Sequence, residues 1–301
     1  MTLAATAALE RVMRVQIIQN PTAGRRRNAK VTALAEALES MGIAVTVRLT
    51  GTAGDAEHLA RQAAESDDRP DVLVAAGGDG TVNEVANGLL GSDLPLAILP
   101  TGTVNVLARE LGIGGSTEEV ARMVAAGGYA QVWPGLANGR AFLLMAGIGF
   151  DAAVVAAVSP AAKRRLGQLA YLLAAARLWW RWQPVHHELQ VDGVRHRAVS
   201  AIAARCRLYG GSFVCAAGAR LDEPHLHLVL FERSGRLAAL GYALALATGQ
   251  LHRWPGVRHL RTAGWELVTA DHLQLDGDPV AATALSLAVS PQPLRIICTV
   301  H

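Results

Sequence analysis

Aromatic and charged residues are both scarce in this chain: Phe, Trp and Tyr make up 5% of its 301 residues, and Asp, Glu, Lys and Arg 18%. Low charge beside 51% hydrophobic residues excludes a disordered chain and leaves enough apolar surface for two cores. Cysteine is rare as well. Cys206, Cys215 and Cys298 are odd in number, widely separated and without metal-site spacing, so no disulfide framework is expected and a reducing compartment is. No apolar run reaches the roughly 20 residues that cross a bilayer. Arg177 and Arg181 interrupt 166–182, and 237–248 is short. Residues 1–18 lack the cationic start and long apolar run of a signal peptide. A formal charge of +3 is too weak to indicate nucleic acid, though it suits an anionic surface or phosphate-bearing ligands.

Glycine is abundant, at 30 residues, as tight turns between alternating strands and helices require. Residues 14–19 read as a buried strand, 29–41 as a helix with Val31, Leu34, Leu38 and Met41 on one face, and 43–49 as a second strand. A helix follows from about Asp55, a candidate N-cap. The apolar run 71–76 reads as a strand covered on both faces, 81–90 as a helix and 96–99 as another short strand. Ser116 and Glu119 make a capping-box pattern. This alternation up to about residue 128 predicts a parallel, Rossmann-like sheet. Beyond it the pattern becomes largely antiparallel β. Strands are expected around 185–191 and 198–206, joined through Asp192–Gly193, and at 226–231, with helices over 161–182 and near 235–250.

Three segments carry chemistry. Gly77-Gly78-Asp79-Gly80-Thr81-Val82-Asn83 stands where a buried strand turns into a helix. Glycines let backbone approach phosphate oxygens there, and free amides at a helix start favour anions. Asp79 inside such a loop would repel phosphate directly, so its expected work is through Mg2+ or bound water; a tight turn with a solvated Asp is the plain alternative. Pro100-Thr101-Gly102-Thr103-Val104-Asn105 follows the next strand, with Arg109 as a candidate for neutralising charge. Asn20-Pro21-Thr22-Ala23-Gly24 follows the first strand and leads into Arg25, Arg26 and Arg27. In an open parallel sheet such loops share one edge, where ligands bind.

Those motifs, in that order, resemble the diacylglycerol kinase catalytic domain found in bacterial lipid kinases, sphingosine kinases and ceramide kinases. The likeness runs on through Gly147-Ile148-Gly149-Phe150-Asp151-Ala152, the RLGQLAYLL segment and Asp276-Gly277-Asp278, covering about 14–300. It implies a nucleotide-binding α/β domain over 1–133, an antiparallel β-sandwich over 134–290 that holds lipid, a cleft between them, and 291–301 returning to the first domain. It further implies an ATP- and Mg2+-dependent transfer to a lipid hydroxyl, diacylglycerol foremost, at the cytoplasmic face of a membrane touched peripherally. No nucleic-acid partner is implied, and a homodimer is allowed.

By the same resemblance the nucleotide contacts fall on Asn20, Pro21, Thr22, Ala23, Gly24, Thr50, Gly77, Gly78, Asp79, Gly80, Thr81, Val82, Asn83 and Thr103. The family's late acidic motif is usually Asp-Gly-Glu, with the last acid the proton acceptor. Here Asp278, one methylene shorter, takes that place, with Asp79 the rival and Asp276 a candidate for positioning the hydroxyl or a metal. A family metal turn falls on Leu221-Asp222-Glu223-Pro224-His225, with Glu223 and the carbonyls of Arg220 and His225 as ligands and Pro224 where a glycine is usual. Two other readings stand beside this one: a kinase of a soluble substrate such as NAD, and a catalytically reduced lipid- or nucleotide-binding regulator.

Overall fold

The computed structural model describes residues 12–21, 25–267, 273–280 and 285–299. The first half alternates as its apolar runs require: β1 Arg14–Gln19, α1 Arg25–Ser40, β2 Ala44–Leu49, α2 Asp55–Glu65, β3 Val72–Gly77, α3 Asp79–Gly88, β4 Leu96–Pro100, α4 Val106–Glu110, α5 Thr117–Ala126 and β5 Tyr129–Val132. Strands β3 and β4 are buried throughout, because helices cover both faces of a parallel sheet. Ser116 caps α5 by accepting the Glu119 amide at 3.3 Å. Asp55, expected as an N-cap, is instead the first helical residue of α2. Gly54 caps the helix, and the Asp55 carboxylate reaches back to the amides of Gly51 (2.7 Å) and Thr52 (2.8 Å).

The second half comprises β6 Gly135–Ala137, β7 Arg140–Phe142, β8 Met145–Gly149, α6 Phe150–Ala157, α7 Pro160–Leu166, α8 Gln168–Arg181, β9 His187–Val191, β10 Val194–Ala198, β11 Ser200–Ala204, β12 Leu208–Tyr209, β13 Phe213–Val214, β14 Leu226–Phe231, α9 Arg236–Ala247, β15 Val257–Thr262, β16 Gly264–Leu267, β17 Leu273–Leu275, β18 Asp278–Val280 and β19 Leu285–Val289, before β20 Leu294–Ile297. Two antiparallel sheets, ordered β10-β9-β16-β19-β6-β7 and β15-β14-β11-β8-β17-β18, enclose a core that includes Phe142, Ile148, Leu189, Leu228, Trp265 and Leu287. The expected class, a parallel α/β unit followed by an antiparallel sandwich, is the observed one.

The helix expected over 161–182 is broken at Gly167, whose φ of 54° separates α7 from α8. Asp192 and Gly193 make the expected hairpin, both with positive φ, but the partner strand is Val194–Ala198 and not 198–206. The chain changes sheets at Val199, and β11 pairs with β8 and β14 in the other layer.

The first sheet runs β2-β1-β3-β4-β20-β5. β20 lies parallel to β4 and antiparallel to β5, so the backbone passes between the two halves twice. The order reverses direction between β1 and β3, the point at which open α/β sheets bind ligands beyond their strand ends.

Candidate active site

The loops after β1, β3 and β4 meet at that reversal. Asn20 donates its amide to Ala76 O at 3.3 Å, fastening the first loop to the end of β3. Thr50, buried after β2, donates its amide to Gln19 O at 3.0 Å. The amides of Thr101 and Gly102 both donate to Gly77 O, at 3.0 and 3.2 Å. The two glycine loops therefore run backbone against backbone. A β-carbon on Gly102 would stand 2.6 Å from Gly78 Cα, so glycine is required by the approach itself. On Gly77 a β-carbon would meet the Thr81 side chain at 2.3 Å. Val82 is buried in the core of the domain, which leaves only its backbone for a ligand. Thr103 is exposed at the loop tip, and a β-carbon on Gly167 would lie 3.7 Å from its Cγ2. Thr22, Ala23 and Gly24 lie outside the described residues, as do the side chains of Arg25, Arg26 and Arg27.

Gly80 differs from its neighbours. Nothing lies within 4 Å of a β-carbon built there, and the residue is exposed in the first turn of α3. Gly80→Ala should therefore leave the fold unharmed, or stabilise it by about 0.5 kcal/mol through the unfolded chain. A loss of nucleotide affinity in that variant, measured by calorimetry beside its melting temperature, would place the ligand against Gly80. Unchanged affinity would make this glycine a helix-start residue only.

Asp79 opens α3 and sends its carboxylate across to the next loop, accepting the amides of Val106 (3.0 Å) and Leu107 (3.2 Å) at the start of α4. It ties the two motif loops together and satisfies two amides that a helix start leaves unpaired.

Asp276 is partly buried, and its carboxylate is surrounded by donors. It sits at φ 50° in the β17–β18 turn, with Gly277 at φ 84°. Its carboxylate accepts the amides of Leu143 (2.8 Å), Leu144 (2.8 Å) and Met145 (2.9 Å), together with Asn83 Nδ2 (2.8 Å). Burial raises this carboxyl to about 6 against the pull of the three amides and Asn83. Both oxygens are thus committed to protein donors, and the residue acts as a clamp between the Asp-Gly-Asp turn, the gap between β7 and β8, and α3. Asn83 donates also to Ala141 O at 3.0 Å, and Asn87, one turn on, accepts the Ala141 amide at 2.8 Å and returns a bond to its carbonyl at 3.1 Å. Asn83 and Asn87 therefore read the backbone of the second domain from the first. Ion pairs Arg207–Glu110 (2.7 Å) and Arg140–Glu57 (3.2 Å) flank the seam.

Asp278 is exposed at the start of β18, two residues past the clamp, on a strand that packs against α6. A β-carbon on Gly277 would lie 4.0 Å from the Tyr171 hydroxyl of α8. One helix assembly, α7–α8, thus borders both the Thr103 loop and the Asp-Gly-Asp turn.

Sequence patterning missed two buried groups. Asp151 of the GIGFDA segment is wholly enclosed, accepting from the Tyr209 hydroxyl and from Gln274 Nε2 (2.8 Å), and burial raises its carboxyl. This makes it a core tie between α6, β12 and β17. Arg205, directly after β11, is also fully buried. Burial pulls its guanidinium down to about 10, so it stays charged at neutral pH. It donates to the carbonyls of Arg220, Glu223 and His225. In the turn expected to hold a metal, the carbonyls of Arg220 and His225 accept from the Arg205 guanidinium. The Glu223 carboxylate faces Arg261 (2.9 Å) and Arg220 (3.3 Å) instead. These residues do not fit a divalent ion.

The family model of the diacylglycerol kinase catalytic domain matches residues 14–134, and that of the YegS C-terminal NAD kinase beta sandwich-like domain matches 145–298. The chain belongs to the diacylglycerol kinase family. A probable lipid kinase YegS-like of Pseudomonas fluorescens is 30% identical over 89% of this chain and 90% of its own. The diacylglycerol kinase of Bacillus subtilis is 38% identical over 60% of each chain, so this chain spans less than two thirds of that relative. A diacylglycerol kinase crystal structure from Bacillus anthracis shares the fold with a TM-score of 0.77 at 22% identity, covering 95% of this chain and 97% of that one. Yeast NADH kinase, complexed with NADH, shares it more distantly, with a TM-score of 0.55 at 12% identity over 97% and 85%. Among the described residues no helix is long and apolar enough to cross a membrane.

Proposed function

We propose that this kinase transfers the γ-phosphoryl group of ATP to the hydroxyl of a membrane lipid, diacylglycerol giving phosphatidic acid. The observation that carries this reading is the joining of two glycine loops, backbone to backbone at the sheet's reversal point, to an Asp-Gly-Asp turn that Asp276 clamps onto α3. The nucleotide lies over the loops, where exposed Gly80 leaves room for phosphate and the loop amides donate to its oxygens. A carboxylate, Asp278 first and Asp79 second, takes the proton as the lipid oxygen bonds to the γ-phosphorus and the bond to the β–γ bridging oxygen breaks, releasing ADP. Mg2+, when bound, would supply charge neutralisation on the phosphates. Among the described residues no three His, Cys, Asp or Glu side chains converge as ligands, so the ion would be held mainly by phosphate and water. Labelled ATP offered with a panel of dispersed lipid alcohols, and separately with NAD, tests the reading. Labelled phosphatidic acid is expected. Labelled NADP, or lipid and nucleotide binding without turnover, would overturn it.

The lipid partner is supported by an inverted helix pattern. On α8 the alanines Ala170 and Ala174 face inward, while Leu169, Leu172, Leu173 and Trp180 are exposed by 49–62%. On α9 only Ala245 is buried, and Leu237, Leu240 and Leu244 are exposed by 53–86%. The spacings are those of one face on each helix, and the helices are joined by Trp179 Nε1 donating to Arg236 O at 2.9 Å. Exposed Arg165, Arg177, Arg181 and Arg236 edge this apolar face. We assign it to docking on an anionic bilayer at the cytoplasmic face, on the helices that border the Thr103 loop and the Asp-Gly-Asp turn. Each arginine near such a surface contributes about 1 kcal/mol, screened by salt. Flotation with anionic vesicles should weaken as salt rises, and Leu172→Asp with Leu240→Asp should abolish it. Salt-independent binding that needs detergent to reverse would contradict peripheral docking.

A further inference from the structure

Five backbone carbonyls converge on the Arg205 side chain. Nε donates to Trp133 O at 2.5 Å, Nη1 to His225 O, and Nη2 to the carbonyls of Glu223 (2.8 Å), Leu221 (3.0 Å) and Arg220 (3.2 Å). The residue is 0% exposed. A ring of carbonyl oxygens is the donor set a hard cation such as Ca2+ takes. A guanidinium meets it with five N–H donors in a fixed plane. No carboxylate is among these five acceptors, so every direct contact of the charge is with a carbonyl dipole, while the Glu223 and Asp222 carboxylates attract it from outside the ring. The same ring spans three parts of the chain: β11, the turn before β14, and Trp133, where the backbone passes between the domains. Trp133 adds its own amide bond to Leu221 O at 2.9 Å.

We infer that Arg205 is the resident cation of this carbonyl cage and does for the 220–225 turn what a bound divalent ion would do, so that this domain folds and stays anchored to the crossing at Trp133 without metal. The inference concerns the chain's own architecture and stands apart from the identity of the lipid substrate.

The test is thermal unfolding of the full chain without nucleotide, in EDTA, MgCl2 or CaCl2 at millimolar concentration, together with the metal content of the purified protein. For the unaltered protein, melting temperatures that agree within about 1 °C and no stoichiometric metal are expected. Stoichiometric metal, or a loss of several degrees in EDTA, would overturn the inference. Arg205→Ala strips the cage of its cation and deprives all five carbonyls of the guanidinium donors. Its melting temperature should fall by about 5 °C or more and recover in part with CaCl2. A variant as stable as the parent would overturn the inference. So would one that is destabilised yet indifferent to both ions, since the cage would then require the shape of a guanidinium and not a charge. Where Arg205→Ala fails to fold, Arg205→Lys against Arg205→Met decides: the ammonium should outlast the apolar side chain of similar length, and parity between them would count against a cation's role.

Discussion

Asp278→Asn should lower turnover on the true lipid by roughly 10²-fold or more while ATP still binds. The substitution keeps size and most hydrogen-bonding capacity and removes only the ability to take a proton. Asp278 is exposed at the first position of β18, so its replacement touches no core and the melting temperature should stay put. The turn that carries it is held independently, by Asp276 on the amides of Leu143, Leu144 and Met145. A fall in rate with an unchanged melting temperature would then point to chemistry and not to a displaced hairpin. Asp278→Glu lengthens the reach by one methylene and should retain activity if the turn leaves room for it. Wild-type turnover by the Asn variant would end Asp278's candidacy and pass the proton to Asp79 or to solvent.

Asp79→Asn should also cost roughly 10²-fold or more in rate, with a different signature. The carboxylate accepts two amides at the start of α4. An Asn offers one acceptor oxygen and turns an NH2 group toward the other amide. The start of α4 and the Thr103 loop before it should loosen, at a cost of about 1 kcal/mol, and nucleotide affinity should fall with the rate. Hydrogen exchange should quicken at Val106 and Leu107. If turnover drops while affinity, stability and exchange all hold, Asp79 acts on the reacting atoms and not through the loop. If none of these quantities changes, it belongs to neither. Measured side by side, the two substitutions separate proton transfer from loop geometry.

The parallel half was legible because burial on both faces writes itself as unbroken apolar runs, as in Val72–Gly77 and Leu96–Pro100. The second half was harder to read. Residues 194–198 are polar and mostly exposed at a sheet edge, whereas 200–204 are buried in the other layer, so the apolar run drew the hairpin partner to the wrong strand. At the site, the glycine loops announced themselves through residue type and order. What those residues bond to did not, because Asn83 meets Asp276 across 193 positions of sequence. One available signal went unused: Asn83 and Asn87, four apart on a helix, share a face, and that face is the domain seam. Another was a lone arginine at the end of the apolar stretch 198–206. A cation in such a place must find acceptors, and Arg205 finds five.

The placement of β20 has a consequence for biosynthesis. Strands β4 and β5 are made early, yet the strand that bonds to both, Leu294–Ile297, emerges only after the entire sandwich has been translated. The usual order, in which the N-terminal domain completes itself while the rest is still on the ribosome, is closed to this chain. Its first sheet waits as two pieces, β2-β1-β3-β4 and an unpaired β5, with the open edge of β4 presented to whatever strand is near. The sandwich must form in that interval and deliver β20 from its own last strand. Chains truncated between Val289 and Leu294 and released should therefore hold a folded sandwich beside an unfinished first sheet.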